Sequence, residues 1–139
     1  MIAAERQAAA RATWRLQMAG IPPETLVFLD ETHASTTLTP RRARAPRGAR
    51  AVGRGPRGRW ETSSWLATLT PTGIGESVVV PGPIDGAAFD TFIRERLAPT
   101  LRPGQIVVLD NLSVHKSPRA RAAIEAVGCR LVFLPTYSP

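Results

Sequence analysis

Gln105 to Asp110 reads QIVVLD, a short apolar run rich in β-branched residues that closes on an acid. That is the pattern of a strand buried on both faces, because an amphipathic strand would alternate polar and apolar positions instead. Thr25 to Asp30 reads TLVFLD and repeats the pattern, again with an aspartate as its last residue. Two buried strands that each deliver a carboxylate to the rim of a sheet set the frame for the rest of the chain.

Working outward from QIVVLD, Ser117-Pro118 places a capping hydroxyl and then a proline where a helix begins, and Gly128 stops that helix. Cys129 to Leu134 (CRLVFL) is then a final strand. On the other side, Asp85 caps a helix whose apolar positions Ala88, Phe89, Phe92, Ile93 and Leu97 recur every three to four residues until Pro99 and Pro103. Before it, Trp60 to Thr70 and Ile74 to Val80 read as a hairpin turning at Pro71-Thr72-Gly73, with Trp60 and Trp65 as packing residues. Ala3 to Met18 suits a helix that Gly20, Pro22 and Pro23 end. A tight hairpin must be antiparallel, whereas strand, helix, strand requires a right-handed parallel crossover. The pattern therefore describes an α/β mixed sheet of ribonuclease-H type with flanking helices, and it also admits a small flavodoxin-like sheet.

Composition narrows the partners. The chain has 139 residues, one domain by length, with 18 Lys plus Arg against 11 Asp plus Glu, a formal charge of +7. Seventeen of the basic residues are arginine, and such a balance favours a polyanion. Eight of those arginines, at 41, 42, 44, 47, 50, 54, 57 and 59, fall between Thr39 and Arg59, a Gly- and Pro-rich stretch without a single acid that reads as a loop. Its charge suits phosphate contact, and its lack of aromatics argues against base stacking. One cysteine, Cys129, excludes an internal disulfide and reads as core filler. No run of 18 apolar residues appears, so a cytoplasmic protein without a membrane span is expected.

Chemistry concentrates at the two strand ends. Asp30 and Asp110 on neighbouring strands would lie about 4.8 Å apart. Carboxylates that close repel unless a cation lies between them, and hard oxygen donors suit Mg²⁺ or Mn²⁺. Glu31 faces the opposite side of its strand and is a poor partner for the same ion. Asn111, His115 and Lys116 follow the second aspartate, and each has a donor to offer phosphate or carboxylate. His115 has two readings, phosphate contact or support of Asp110, beside a plain role in the start of the helix.

The strings FLDET (Phe28 to Thr32), LDNLSVHKS (Leu109 to Ser117) and LPTYSP (Leu134 to Pro139) resemble, in order and spacing, the catalytic region of the IS630/Tc1/mariner transposases, a DDE superfamily endonuclease group. The resemblance runs from about Glu24 to the end. It implies a ribonuclease-H-like core in which Asp30 and Asp110 stand at the family's first two metal-binding acids. It implies a two-ion site of Mg²⁺ or Mn²⁺, one ion activating the attacking oxygen and the other stabilising the leaving one. Double-stranded DNA of transposon ends would be the partner, met by Arg41, Arg42, Arg44, Arg47, Arg50, His115 and Lys116, and a homodimer is possible. Residues 1–20 correspond to a linker helix and 21–139 to a partial catalytic domain lacking its last helix. The family's third acid lies beyond its LP-x-YSP string, so this chain by itself is expected to be inactive or nearly so. Left open beside this reading are a DNA-binding remnant without chemistry and a different Mg²⁺-dependent phosphotransferase.

Overall fold

A computed structural model describes residues 8–38, 40, 42–55, 58 and 60–135. The start of the expected first helix, Arg41 and the last four residues of the LPTYSP string lie outside the described residues. Five strands, β1 (Leu26–Ser35), β2 (Thr62–Thr70), β3 (Gly73–Pro81), β4 (Ile106–Leu109) and β5 (Arg130–Phe133), form one sheet in the order β3-β2-β1-β4-β5. The pairs β1–β2 and β2–β3 are antiparallel, whereas β1–β4 and β4–β5 are parallel. This mixed order is the ribonuclease-H-like arrangement, and the antiparallel hairpin removes the all-parallel flavodoxin-like alternative.

The helices are α1 (Ala8–Met18), α2 (Gly86–Phe92) and α3 (Pro118–Ala126). Asp85 caps α2 by accepting the Ala88 N–H at 2.8 Å, and Ser117 caps α3 by accepting the Ala120 N–H at 3.3 Å. The α2 axis continues through a π-helical stretch, Ile93–Leu97, and a 3-10 turn, Ala98–Thr100, before Pro103. Gly128 has φ 76°, the left-handed conformation that ends α3 and turns the chain into β5.

Both α2 and α3 cover one face of the sheet. Phe89, Phe92, Ile93, Leu97, Ala120 and Ile124 form a buried cluster with Val27, Leu29, Leu66, Val107, Leu109 and Leu131 of the strands. The opposite face is less covered: Phe28, Trp65, Leu69 and Val79 are 39, 37, 54 and 65% exposed. β4 alone is buried at all four positions, as its sequence predicts.

β1 departs from expectation in two ways. It is ten residues long rather than six, and it is buried on one face only, with Val27 and Leu29 inside and Phe28 partly exposed. The polar continuation Glu31 to Ser35 joins the strand because β2 supplies a partner for each residue, from Glu31 opposite Leu66 to Ser35 opposite Thr62. Asp30 is therefore not the last residue of its strand but the fifth of ten. Trp60 precedes β2 and is 61% exposed, and Trp65 lies on the face away from the helices, so neither packs in the core. Cys129 is buried and free, as expected.

Candidate metal and nucleic-acid site

The parallel ladder between β1 and β4 pairs Leu26 with Ile106, Val27 with Val107 and Phe28 with Val108. Asp30 and Asp110 each lie two residues beyond the last of these pairs, past the same end of the β1–β4 ladder. Parallel strands deliver their C-terminal residues to one edge, which is why two similar strings so far apart in sequence lead to one place. Asp30 is exposed, and its Oδ1 accepts the Glu31 N–H at 2.9 Å. Asp110 has a side chain 40% exposed, and its Oδ1 accepts the Leu112 N–H at 3.2 Å.

Glu31 points to the other face of the sheet, where its side chain is 13% exposed and sits 3.4 Å from His33 Nε2. His33 Nδ1 meets the Ser64 hydroxyl at 2.9 Å, and that hydroxyl donates to the Gly82 carbonyl at 2.6 Å. Glu31 is thus engaged away from Asp30, as the alternation of a strand requires.

His115 is the residue whose position the sequence left most open. Its ring is wholly buried, with Nδ1 2.5 Å from Asp110 Oδ1. This placement speaks against phosphate contact, since a ring without exposed surface reaches no phosphate, and it sets the ring against Asp110. Lys116 follows it at the surface, exposed. The buried His115 ring packs beside that of Phe89, with ring centroids 4.8 Å apart. No periodicity could have announced that contact between a loop and a distant helix.

The basic segment leaves the sheet at the end of β1, beyond Asp30, and returns at the start of β2. Its base is closed by Thr36 N–H donating to the Glu61 carbonyl at 3.0 Å and by Glu61 N–H donating to the Thr36 hydroxyl at 3.1 Å. Arg42, Arg44, Arg47, Arg50 and Arg54 are all exposed, and no helix or strand occurs between these closures among the described residues. The loop expectation holds there, and the arginines lie on a long excursion that leaves β1 after Ser35, beyond Asp30.

A sequence profile of the DDE superfamily endonuclease family matches residues 25–139. The chain belongs to this family. No curated protein matches its sequence. Among solved structures, it is similar to a Mos1 transposase paired-end complex with the left transposon end, with TM-score 0.72 and 13% identity over 100% of this chain and 46% of that one. A Mos1 strand transfer complex gives TM-score 0.72 at 15% identity, again over 100% of this chain and 46% of that one. The catalytic domain of Mos1 mariner transposase gives TM-score 0.58 at 13% identity over 99% of this chain and 66% of that one. At such identity the likeness concerns the fold, which is ribonuclease-H-like. This DDE superfamily chain thus spans about half the length of the first two transposase chains it matches.

The donor chemistry of the DDE-family chain fits a hard divalent ion. Two carboxylates are sent to one sheet edge, each with one oxygen already accepting a backbone N–H. Among the described residues, no group of three or more His, Cys, Asp or Glu gathers as a metal cluster. No helix among them is long and apolar enough to cross a membrane.

Proposed function

We propose that this chain is part of the catalytic domain of an IS630/Tc1/mariner-type transposase that cuts and joins DNA strands with Mg²⁺ or Mn²⁺. The observation that carries this is the shared register: Asp30 and Asp110 lie equally far beyond the Phe28–Val108 pair, on the side toward which β1 runs on into the arginine loop. Residues 21–139 form the catalytic portion, and 1–20 lead into it as a linker helix. The reading places the protein in the cytoplasm, where DNA is accessible.

In this mechanism Asp30 and Asp110 hold the ions. When bound, these supply an activated oxygen nucleophile and a sink for charge on the leaving oxygen. Asp30 contributes from a rigid strand, so its carboxylate stays on the face of Phe28. Asp110 contributes from the first position after β4, where the Leu112 amide restrains it. Arg42, Arg44, Arg47 and Arg50, with Arg41 beside them, neutralise phosphates of the duplex, and Lys116 adds a charge next to the second acid. Transposon-end DNA is the proposed substrate, and a homodimer is the assembly this reading allows. Titration with both Mg²⁺ and Mn²⁺ is suggested by two further Mos1 mariner paired-end complexes, one described with Mn and one with Mg.

The test is a Mn²⁺ titration of the ¹⁵N-labelled chain, with a nicking assay on duplex DNA in parallel. Paramagnetic broadening centred on residues 30 and 110, abolished in Asp30→Asn and Asp110→Asn, is expected. Broadening that ignores both substitutions would remove the metal site from these residues.

A further inference from the structure

We propose that His115 is a positioning residue for Asp110: it donates from Nδ1 in one fixed tautomer, and Phe89 of α2 holds the ring in place. This deepens the reading of Asp30 and Asp110 as metal ligands and rests on it.

The imidazole comes from a 3-10 turn, Ser113–His115, that starts three residues after Asp110. The turn is closed by the His115 N–H donating to the Leu112 carbonyl and the Lys116 N–H donating to the Ser113 carbonyl, each at 3.2 Å. This folds the loop back so that the ring, wholly buried, meets the carboxylate it follows. An ionised carboxylate only accepts, so the hydrogen in the 2.5 Å contact belongs to Nδ1. Nε2 is buried as well and meets no hydrogen-bond partner among the described residues. A buried N–H without an acceptor is rare in folded proteins, whereas an acceptor left short is better tolerated. The two ends of the ring therefore demand the same tautomer, with hydrogen on Nδ1 and a lone pair on Nε2.

The consequence falls on Asp110. Both the Leu112 amide and the His115 ring address Oδ1, which fixes the rotation of the carboxylate and leaves ligation to Oδ2. A packing histidine would need no such bond to a side chain that is 40% exposed. Phe89 adds the other constraint: its buried ring lies 4.8 Å from the imidazole at an interplanar angle of 31°, so the position of α2 is passed to the second acid. Partners of this kind, acting through a ligand rather than on the ion, change metal affinity by about 10–100-fold when removed.

The experiment has two arms on the full 139-residue chain. Long-range ¹H–¹⁵N correlation spectra without metal are expected to show the His115 ring protonated at Nδ1 and bare at Nε2. Mn²⁺ broadening of the amides near residue 110 is then compared in His115→Asn, whose amide can donate where Nδ1 does, in His115→Gln, whose amide reaches toward the Nε2 position, and in His115→Phe. His115→Asn should respond at nearly the wild-type Mn²⁺ concentration, with His115→Gln and His115→Phe needing at least about tenfold more. A ring protonated at Nε2 overturns the proposal, as does equal Mn²⁺ response in Asn and Gln variants, a comparison that stands even if the Phe variant does not fold. If wild type and Asp110→Asn broaden alike, the metal reading fails and the positioning role falls with it, while the tautomer still reports whether the His115–Asp110 bond exists.

Discussion

Phe28 of β1 pairs with Val108 of β4 in parallel register, and two residues past this pair each strand delivers an aspartate. Parallel pairing matters here because it carries both aspartates past the same end of the shared ladder. An antiparallel pair would have sent them to opposite ends. The side chain in each strand is then fixed by alternation, since a shift of one residue moves a group to the other face.

That alternation yields the first prediction. In Asp30→Asn, the neighbouring Glu31 should not substitute as a ligand, because it points to the helix-covered face and sits beside His33. Mn²⁺ response near residue 30 should fall by at least about tenfold, and Asp30→Asn/Glu31→Gln should be no worse than Asp30→Asn alone, losing one acid ligand in either case. Further loss in the double variant would mean that Glu31 reaches the ion.

The arginine loop makes a prediction about salt rather than chemistry. Replacing Arg42, Arg44, Arg47 and Arg50 with glutamine should weaken duplex binding. The slope of log affinity against log salt should become shallower by about 0.9 for each arginine that neutralises a phosphate. The folded core should be untouched, since all four are exposed and none belongs to the buried cluster. An unchanged slope in a fluorescence-anisotropy titration would show that the loop is a solvated excursion and not a DNA contact.

How much of this was legible in the sequence follows from which signals are local. The two capped helices were readable because Asp85 and Ser117 act on N–H groups three residues away. The hairpin turn at Pro71 to Gly73 was readable for the same reason, and β4 because burial on both faces leaves an unbroken apolar run. The extension of β1 through Glu31 to Ser35 was not, since nothing in that polar stretch announces that β2 will pair with it. The sequence did not choose between core and hairpin packing for Trp60 and Trp65, because a large aromatic in a strand does not say which face it takes. Of the two aspartates, Asp110 follows β4 directly as its apolar run implies, whereas Asp30 lies mid-strand. The approach of the His115 ring to Asp110 and its packing beside Phe89 are tertiary contacts that no local signal announces.

Core and cap residues test the fold independently of function. Leu66 is completely buried in β2 within the cluster formed with α2 and α3. Leu66→Ala should cost about 2–5 kcal/mol in denaturant unfolding through lost burial and the cavity left behind. Asp85→Ala removes only the bond to the Ala88 N–H and should cost about 1 kcal/mol. Equal losses in the two variants would contradict this assignment of core and cap.

The last prediction concerns an irregularity in the sheet. Between Ala67 and Leu69 the pairing of β2 with β3 slips, because Ala67 faces Ser77 while Leu69 faces Ile74, which leaves an extra residue on β3. Gly75 stands at that slip, and a Cβ built on it would lie 2.8 Å from Thr68 Oγ1, too close for any ordinary contact. Thr68 has little room to move, being 2% exposed, with its hydroxyl donating to the Glu76 carbonyl at 3.1 Å. Gly75→Ala should therefore destabilise the sheet by about 1–3 kcal/mol, the usual cost of forcing an extra carbon into packed surroundings. Thr68→Ala removes the obstructing oxygen along with its hydrogen bond and should be destabilising by itself. Because both changes act on one contact, Thr68→Ala/Gly75→Ala should cost less than the sum of the single variants, which urea unfolding of all four proteins measures. Strict additivity would show that the bulge accommodates a side chain without touching Thr68, and that glycine is not required there by the close approach.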